Sequence, residues 1–542
     1  MEKIFRKGTT LESNTYYKAD VPRYDIYPDD CICVENDVYF SYTKAVVNSM
    51  PVAFFLKDLE NITLDFQGAT IVLHGRITPF IIDNCKNVKL KNLKLDYDRP
   101  FYTQAHVIEC DTKHMKVRID DGFRYRVDGG GYLYAVSDTW EKKLNVGDCL
   151  LWLFDRTGEK EYPIILSLFG PEIFPWENPP MPVGKILVEE DGDCLIFKGD
   201  FPSSWNTNNG NNSLVFTHEA RDKCSVIALN SENIDVEDFI LIHGAAYAIM
   251  AMNCKNMYFD NFSMSMNYNG NGRLVTNNAD AIHFFNCKGD FVLKNSYMDG
   301  MLDDTVNIHN SYLKIFDIGG DKLACKFVGK AITLDCPVFV AGDSISVLRG
   351  RTQEKKGEYV IQSVSLDYEN SQFVFTLDRE ISSEVEVGDI IENLSGQPTI
   401  LLDNCEFGRF RGTMRLQSRN HTVVRNCKFN NKGVSIIFTG DTVYWYESGP
   451  VNDFLMESCS FPHTNFGIRL GIFGDVEYTE KEKYYHRNIT VRNCYFDAGC
   501  IAELNHVDDF VFDGNTSNGK MIIKARDCGK ISCQEDTELK ML

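Results

Sequence analysis

Short apolar strands recur along the chain. Each is four or five residues long, many alternate apolar and polar positions, and many are followed by the same punctuation. The phrase is apolar strand, Asn-Cys, polar turn, apolar strand. It stands at Asn84-Cys85 in IIDNCKNVKLKNLKLDY, at Asn253-Cys254 in IMAMNCKNMYFDNFSMS, and at Asn286-Cys287, Asn404-Cys405, Asn426-Cys427 and Asn493-Cys494, with Ser458-Cys459 as a variant. Cys405 and Cys427 are 22 residues apart, and other intervals are longer, as loops make them. A period of two marks half-buried strands. A unit of about 20–35 residues carrying two or three such strands marks a solenoid, in which each coil buries its apolar face against the next. Asn suits a turn where its amide bonds to the amide one coil away. Cys suits a stack of small buried side chains. The pattern predicts an all-β chain folded as a right-handed parallel β-helix, with Asn84, Asn253, Asn286, Asn404 and Asn426 at equivalent turns.

Two stretches break the rhythm. Residues 100–224 carry longer alternating strands and hairpin turns, as in HMKVRIDDGFRYRVDGGGYLYAV, and residues 312–397 do the same, as in QFVFTLDREI. Val146-Gly147-Asp148 and Val387-Gly388-Asp389 each precede an apolar strand. These read as antiparallel β-barrel-like modules inserted between rungs. Insertions in solenoids gather on one face, often the binding face. The expected organisation is an N-terminal cap and first rungs (1–99), an inserted module (100–224), rungs (225–311), a second inserted module (312–397) and C-terminal rungs (398–542). The second module begins directly after the most acidic motif and is expected to wall a cleft there.

That motif spans two consecutive rungs, NNADAIHFFNC (277–287) and MLDDTVNIHNS (301–311). A shift of 24 residues stacks Ile282 under Val306, Phe284 under Ile308 and Asn286 under Asn310. The same shift puts Asp280 under Asp304, with Asp303 beside it. Rungs lie about 4.8 Å apart, so three carboxylates crowd one patch. Crowding raises the pKa of at least one of them. That provides one protonated and one ionised carboxyl, the pair that glycoside hydrolysis needs. Two other readings stay open here: Asx turns at strand starts and a calcium site. In FRGTMRLQS, aligning Met414 with Val306 places Arg411 above Asp303 and turns Arg415 outward. One rung below Asp280, the same register puts Tyr247 in the column.

Composition narrows the partners. The 542 residues are 44% hydrophobic and 25% charged, with a formal net charge of -21. So acidic a surface repels phosphate backbones and anionic lipid, so nucleic acid and membrane partners are not expected. It also disfavours a polyanionic substrate, whereas a neutral sugar carries no such penalty. Nothing in the opening residues reads as a signal peptide. With 18 cysteines in no zinc-like spacing, this points to buried thiols in a reducing cytoplasm, Cys254, Cys287, Cys405 and Cys427 among them. A trimmed exported form and a homo-oligomer stay open. No cofactor and no metal are expected.

NNADAIHF followed by DDTVNIH resembles the inverting α-1,3-galactosidases that cleave blood-group-B-type terminal galactose. Their motif runs roughly Ala-Asp-x-x-His-Phe, then Asp-Asp-x-x-Asn-x-His. The likeness extends to THEARD (217–222), Arg273, the second insertion, FRGTM (410–414) and WYESG (445–449). The resemblance implies a β-helix with inserted β-barrel domains. It implies Asp280 as general acid, and Asp303 and Asp304 as joint holders of the attacking water. It implies Trp445 stacking on the sugar and Glu447 bonding its hydroxyls; Arg273, His283, Asn307 and His309 of the matched segments, with Arg411 and Tyr247 from the rung register, are the other candidate substrate contacts, and Arg411 equally reads as a structural ion pair. Polygalacturonases share the spaced Asp and Asp-Asp pattern, but the Gly-His-Gly and Arg-Ile-Lys that would hold a uronate are not in this sequence. A calcium-dependent lyase and a non-catalytic sugar-binding β-helix are the other classes that fit.

Overall fold

Each turn of the coil is built from three short parallel strands, in the computed structural model that describes the chain except residues 35–49, 145–150, 156–163, 170–186, 200, 202, 204–211, 219–222, 266–271, 329–337, 351, 409–412, 432–433, 443–444, 463–465, 471–483 and 498. The chain is a right-handed parallel β-helix interrupted by two antiparallel modules. The first face of the coil stacks Met50–Lys57, Thr78–Asp83, Val226–Leu229, Ile249–Met252, Ile282–Phe285, Val306–Gly319 and Met414–Leu416 in parallel register. The other two faces come from one bent strand in the early rungs, such as Lys86–Tyr97, Glu232–Leu241 and Lys255–Met264. Alternation decides which side chains enter. Met50–Lys57 buries every second residue, and its Leu56 begins an inward column that runs through Ile82, Ala228, Ala251, Phe284, Ile308 and Leu416. The column belongs to one continuous apolar core along the coil.

The asparagines do not share one turn, contrary to the sequence expectation. Asn84, Asn253 and Asn286 lie at the corner after the first face, where Asn286 donates to Asn253 and Asn253 to Asn230. Asn404 and Asn426 lie at a different corner, between the second and third faces, where Asn404 donates to Asn295 and Asn426 to Asp403. A third ladder, Asn61, Asn87, Asn233 and Asn256, runs one strand-start further on. The reason is local. Each corner needs a left-handed residue, and φ is +51° at Asn84, +51° at Asn286, +54° at Asn404 and +55° at Asn426. Asn tolerates that conformation best among residues with a side chain. Each corner also takes a small side chain just inside it, so Asn-Cys solves both bends. Cys254, Cys287, Cys405 and Cys427 are buried and carry free thiols.

The first module is a seven-stranded antiparallel sheet with a three-stranded companion, Tyr125–Val127, Leu133–Val136 and Glu141–Lys143. The second is continuous with the coil. Val306–Gly319 leaves its rung and pairs antiparallel with Lys322–Lys326 and Ile390–Asn393. Both modules pack beside the acidic motif. Tyr102, Phe123 and Val215 of the first form a core with Leu274, Val275 and Leu302, the residue before Asp303. Leu313, Ile345, Phe375 and Ile391 of the second share a core with Tyr247, Met250 and Phe285 on the outer side of the first face. Val387-Gly388-Asp389 forms the turn into that last strand, and Asp389 pairs with Lys356 (2.7 Å). Val146-Gly147-Asp148 lies outside the described residues. Among the described residues no helix is long and apolar enough to cross a membrane.

Candidate active site

Ile282 stands opposite Val306, His283 opposite Asn307 and Phe284 opposite Ile308. This is the shift of 24, so Asp280 and Asp304 occupy the same position on adjacent rungs. The backbone confirms it: Ala281 N–H donates to Asp304 O (3.0 Å) and Ile282 N–H to Thr305 O (3.1 Å). Asn277 shapes the approach to the strand by donating its amide to the carbonyls of Ala279 (3.1 Å) and Asp280 (2.7 Å).

Asp280 is 2% exposed, and its Oδ2 lies 2.6 Å from His283 Nδ1. His283 Nε2 in turn lies 3.3 Å from His309 Nε2, and His309 Nδ1 donates to the Asn310 carbonyl (2.7 Å). Tyr247 flanks this line from the rung below, its ring centroid 4.8 Å from that of His283. Burial pulls the His309 pKa down, against the opposing pull of Glu447.

Asp304 accepts a hydrogen bond from Arg415 Nε (3.0 Å), whose Nη1 also reaches Thr439 Oγ1 (3.2 Å). Burial pushes the Asp304 pKa up to about 8. Arg415 opposes this, and Asp303, Asp280 and Glu447 reinforce it. The four carboxyl groups thus share one pocket, with Arg415 as a cation placed on it. Arg415 is the residue that the sequence reading passed over as merely outward. Outward on this face is toward the carboxylates: Arg415 stands opposite Asn307, which stands opposite His283. Two residues of the family-like motif therefore mark its column. Arg411, expected above Asp303, lies outside the described residues.

Asn307 is 4% exposed, and its Oδ1 has no hydrogen-bond partner among the described residues. Glu447 and Trp445 are carried by a loop docked on the rung of Asp304. Ser311 pairs with Glu447 and Asn310 with Ser448, and Tyr312 N–H donates to the Tyr446 carbonyl (2.9 Å). Asp441 closes the loop, accepting from Trp445 N–H on its carboxylate (2.6 Å). Glu447 Oε1 comes within 3.7 Å of His309 Nε2. Arg273 is placed at the seam with the first module. It donates to Asp96 Oδ1 (2.7 Å) and pairs with it, while Gln104 bonds the backbone on either side at Gly272 and Leu274. Of the THEARD segment, Thr217 and His218 are described, and His218 is buried beside Thr103 (2.9 Å).

No family model matches the chain. Curated proteins do match it over most of its length. It is 23% identical over 491 residues to alpha-1,3-galactosidase B of Akkermansia muciniphila, covering 88% of this chain and 58% of that protein. It is 25% identical over 503 residues to alpha-1,3-galactosidase B of Bacteroides thetaiotaomicron, covering 88% and 75%. With alpha-1,3-galactosidase A of Shewanella woodyi it is 26% identical over 449 residues, covering 81% and 70%. The chain is a relative of the alpha-1,3-galactosidases. It spans less than two thirds of the length of the Akkermansia protein and about three quarters of that of the Bacteroides protein. Among solved structures, a family 28 exopolygalacturonase of Yersinia enterocolitica aligns over 96% of this chain and 77% of that one at a TM-score of 0.27 and 10% identity, too distant to argue from.

Beyond Arg415, the residues that sequence reasoning missed are the ones that hold others in place. Thr439 and Asp441 carry no motif of their own, and Asn277 opens NNADAIHFFNC without its type announcing a role. Asp441 shapes the Trp445 loop through a backbone N–H, a role that any short acceptor fills and that residue type alone does not announce.

Proposed function

We propose that the chain is a glycoside hydrolase that removes terminal α-1,3-linked galactose from neutral glycans, blood-group-B-type or linear, with inversion at the anomeric carbon. The observation that carries this is the stacking of Asp280 and Asp304 on adjacent rungs in surroundings of different kinds. Asp280 shares a hydrogen bond with an imidazole (2.6 Å), and Asp304, 13% exposed, lies among carboxyl groups with a guanidinium on one oxygen (3.0 Å). Asp280 serves as general acid to the leaving oxygen. The Asp303–Asp304 pair takes the proton of the water that attacks from the other side. Asp304, with a pKa of about 8, and Asp303 beside it jointly hold and activate that water. Asn307 Oδ1 offers an acceptor to a sugar hydroxyl, since a buried polar atom without a partner is costly to leave so. Trp445 is assigned to the apolar face of the galactose and Glu447 to its hydroxyls. The net charge of -21 fits an uncharged substrate better than a uronate.

The test is incubation with α- and β-galactosides, including fucosylated B-type and linear Gal-α-1,3-Gal acceptors, followed by NMR of the first product. β-Galactose from an α-linked substrate is expected. An α-anomer first would replace inversion by retention, and EDTA-sensitive absorbance near 235 nm would mark a lyase. Asp280→Asn should lose turnover on poor leaving groups by about 10²–10⁴-fold and recover in part on an activated aryl galactoside. Asp303→Asn and Asp304→Asn should be inactive on both, because each substrate still needs its water.

A further inference from the structure

We propose that His283 and His309 are positioning residues that hold the catalytic proton on Asp280, rather than contacts to the sugar. The inference rests on Asp280 being the proton donor. Its basis is a line of four groups joined by three short contacts. The Asn310 carbonyl can only accept, so His309 Nδ1 carries a hydrogen (2.7 Å). A neutral His309 then presents a bare Nε2, and the atom facing it, His283 Nε2, donates across the 3.3 Å separation. Glu447 Oε1, at 3.7 Å from His309 Nε2, is beyond hydrogen-bond reach. The remaining contact, 2.6 Å between His283 Nδ1 and Asp280 Oδ2, joins two groups that are both acceptors when neither is protonated. One proton must lie between them, as neutral imidazole with carboxylic acid or as imidazolium with carboxylate. A charged His309 would reverse the Nε2 bond and still leave one proton there.

The surroundings favour keeping it. His283 and His309 are 3% and 5% exposed. The Tyr247 ring lies against His283 from the rung below. Among the described residues, the carboxyls of Asp303, Asp304 and Glu447 and the guanidinium of Arg415 are further charged groups of the pocket. Burial lowers the pKa of His309, which keeps it the neutral anchor of the line. During turnover the shared proton moves to the glycosidic oxygen as the bond from that oxygen to the anomeric carbon breaks, its electron pair leaving with the oxygen. Asp280 is left as carboxylate beside neutral His283. Water supplies the new bond to carbon and gives its proton to the Asp303–Asp304 pair. Transfer of that proton through solvent to Asp280 restores the start.

Two measurements test this. In protein labelled with ¹⁵N only at histidine, with His283→Asn and His309→Gln used for assignment, His309 should show the Nδ1–H tautomer across pH 5–8. Asp280→Asn should shift the His283 titration by at least a unit. An Nε2–H tautomer at His309, or an unmoved His283, would overturn the proposal even if the chain cleaves no galactoside, in which case the functional reading falls on its own. The second measurement is kinetic. His283→Asn keeps an amide near the Nδ1 position but cannot exchange a proton. It should lower kcat on a disaccharide by about 10²-fold or more, leave KM within about threefold, cost less than about tenfold on an activated aryl galactoside, and move the alkaline limb of kcat/KM to lower pH. His309→Gln, which can still accept from His283, should stay within about tenfold of wild type, while His309→Leu should resemble His283→Asn. A raised KM with unchanged kcat and pH profile in His283→Asn would make these residues sugar contacts and end the proposal. Thermal melts that match wild type separate these outcomes from misfolding, and if His283→Asn fails to fold, the two His309 variants and the tautomer measurement still decide.

Discussion

Asp304 shows how a single carboxyl can be held protonated while touching an arginine. Its pKa of about 8 reflects burial first, opposed by Arg415 and reinforced by Asp303, Asp280 and Glu447. The folded chain therefore binds this proton more tightly than the unfolded chain, in which a carboxyl titrates near 4. The stability that comes from this site is complete below about pH 4 and is lost as pH rises through about 8. Asp304→Asn cannot suffer that loss. The Tm of the variant minus that of wild type should grow steadily between about pH 5 and pH 8.5, and a difference that stays flat would show that Asp304 titrates like an exposed carboxyl. Arg415→Met tests the opposing pull. Without the guanidinium the Asp304 pKa should rise further, moving the acid limb of the activity profile to higher pH. The loss of the guanidinium's hydrogen bonds to Asp304 and Thr439 should cost on the order of 1.5–3 kcal/mol, the range for hydrogen bonds to a charged group. The three aspartates were legible in the sequence because a solenoid register is arithmetic. Arg415 needed one more step, that the outer side of a strand is the working side wherever the carboxylates sit.

At the scale of elements, the corners explain both the success and the error of the repeat. Asn-Cys marks a left-handed bend followed by a small inward residue, and that is enough to identify a coil. It does not say which corner, because two corners of this coil make the same demand. The strands between them differ mainly in length, and the register that separates Asn286 from Asn404 depends on the bent strand that the early rungs use and the later rungs split. The loop that carries Trp445 and Glu447 is likewise set by something the motif does not display. Gly449 follows it with φ +138°, and a Cβ there would come 2.8 Å from both the Cβ and the carbonyl oxygen of Gln417. Gly449→Ala should push Glu447–Ser448 off Asn310–Ser311, lowering Tm and cutting kcat by about tenfold or more. Gly192, with φ +66° and nothing within 4 Å of the same Cβ, supplies the control. Gly192→Ala should cost about 1 kcal/mol of backbone strain and leave turnover alone. Equal losses of activity in the two variants would show that backbone strain, and not the Gln417 contact, governs the loop.

Across the whole molecule the two modules stand in different relations to the coil, and this decides where function is vulnerable. The first module holds a core of its own, including Val107, Val117, Leu195 and Phe197, and meets the rungs through a separate small cluster around Tyr102 and Leu302. The second has no such independence. Leu313, Ile345 and Phe375 lie in one core with Tyr247, Met250 and Phe285. Tyr247 packs on His283, and Phe285 lies beside His309, with ring centroids 4.8 and 5.5 Å apart. A cavity opened deep in the second module is therefore felt at the proton donor. Phe375→Ala and Phe197→Ala each remove a buried ring, 0% and 6% exposed, and each should destabilise its surroundings by about 3–5 kcal/mol. Their effects on catalysis should separate. Below the melting transition, Phe375→Ala should lower kcat by about tenfold or more, through a looser Tyr247 and Phe285. Phe197→Ala should keep kcat within about twofold while exposing the amides of strands Tyr102–Cys110 and Cys194–Lys198 to faster hydrogen exchange. Equal kcat in the two variants would mean that the shared core transmits nothing to the site, and that the second module is a wall whose packing the chemistry ignores.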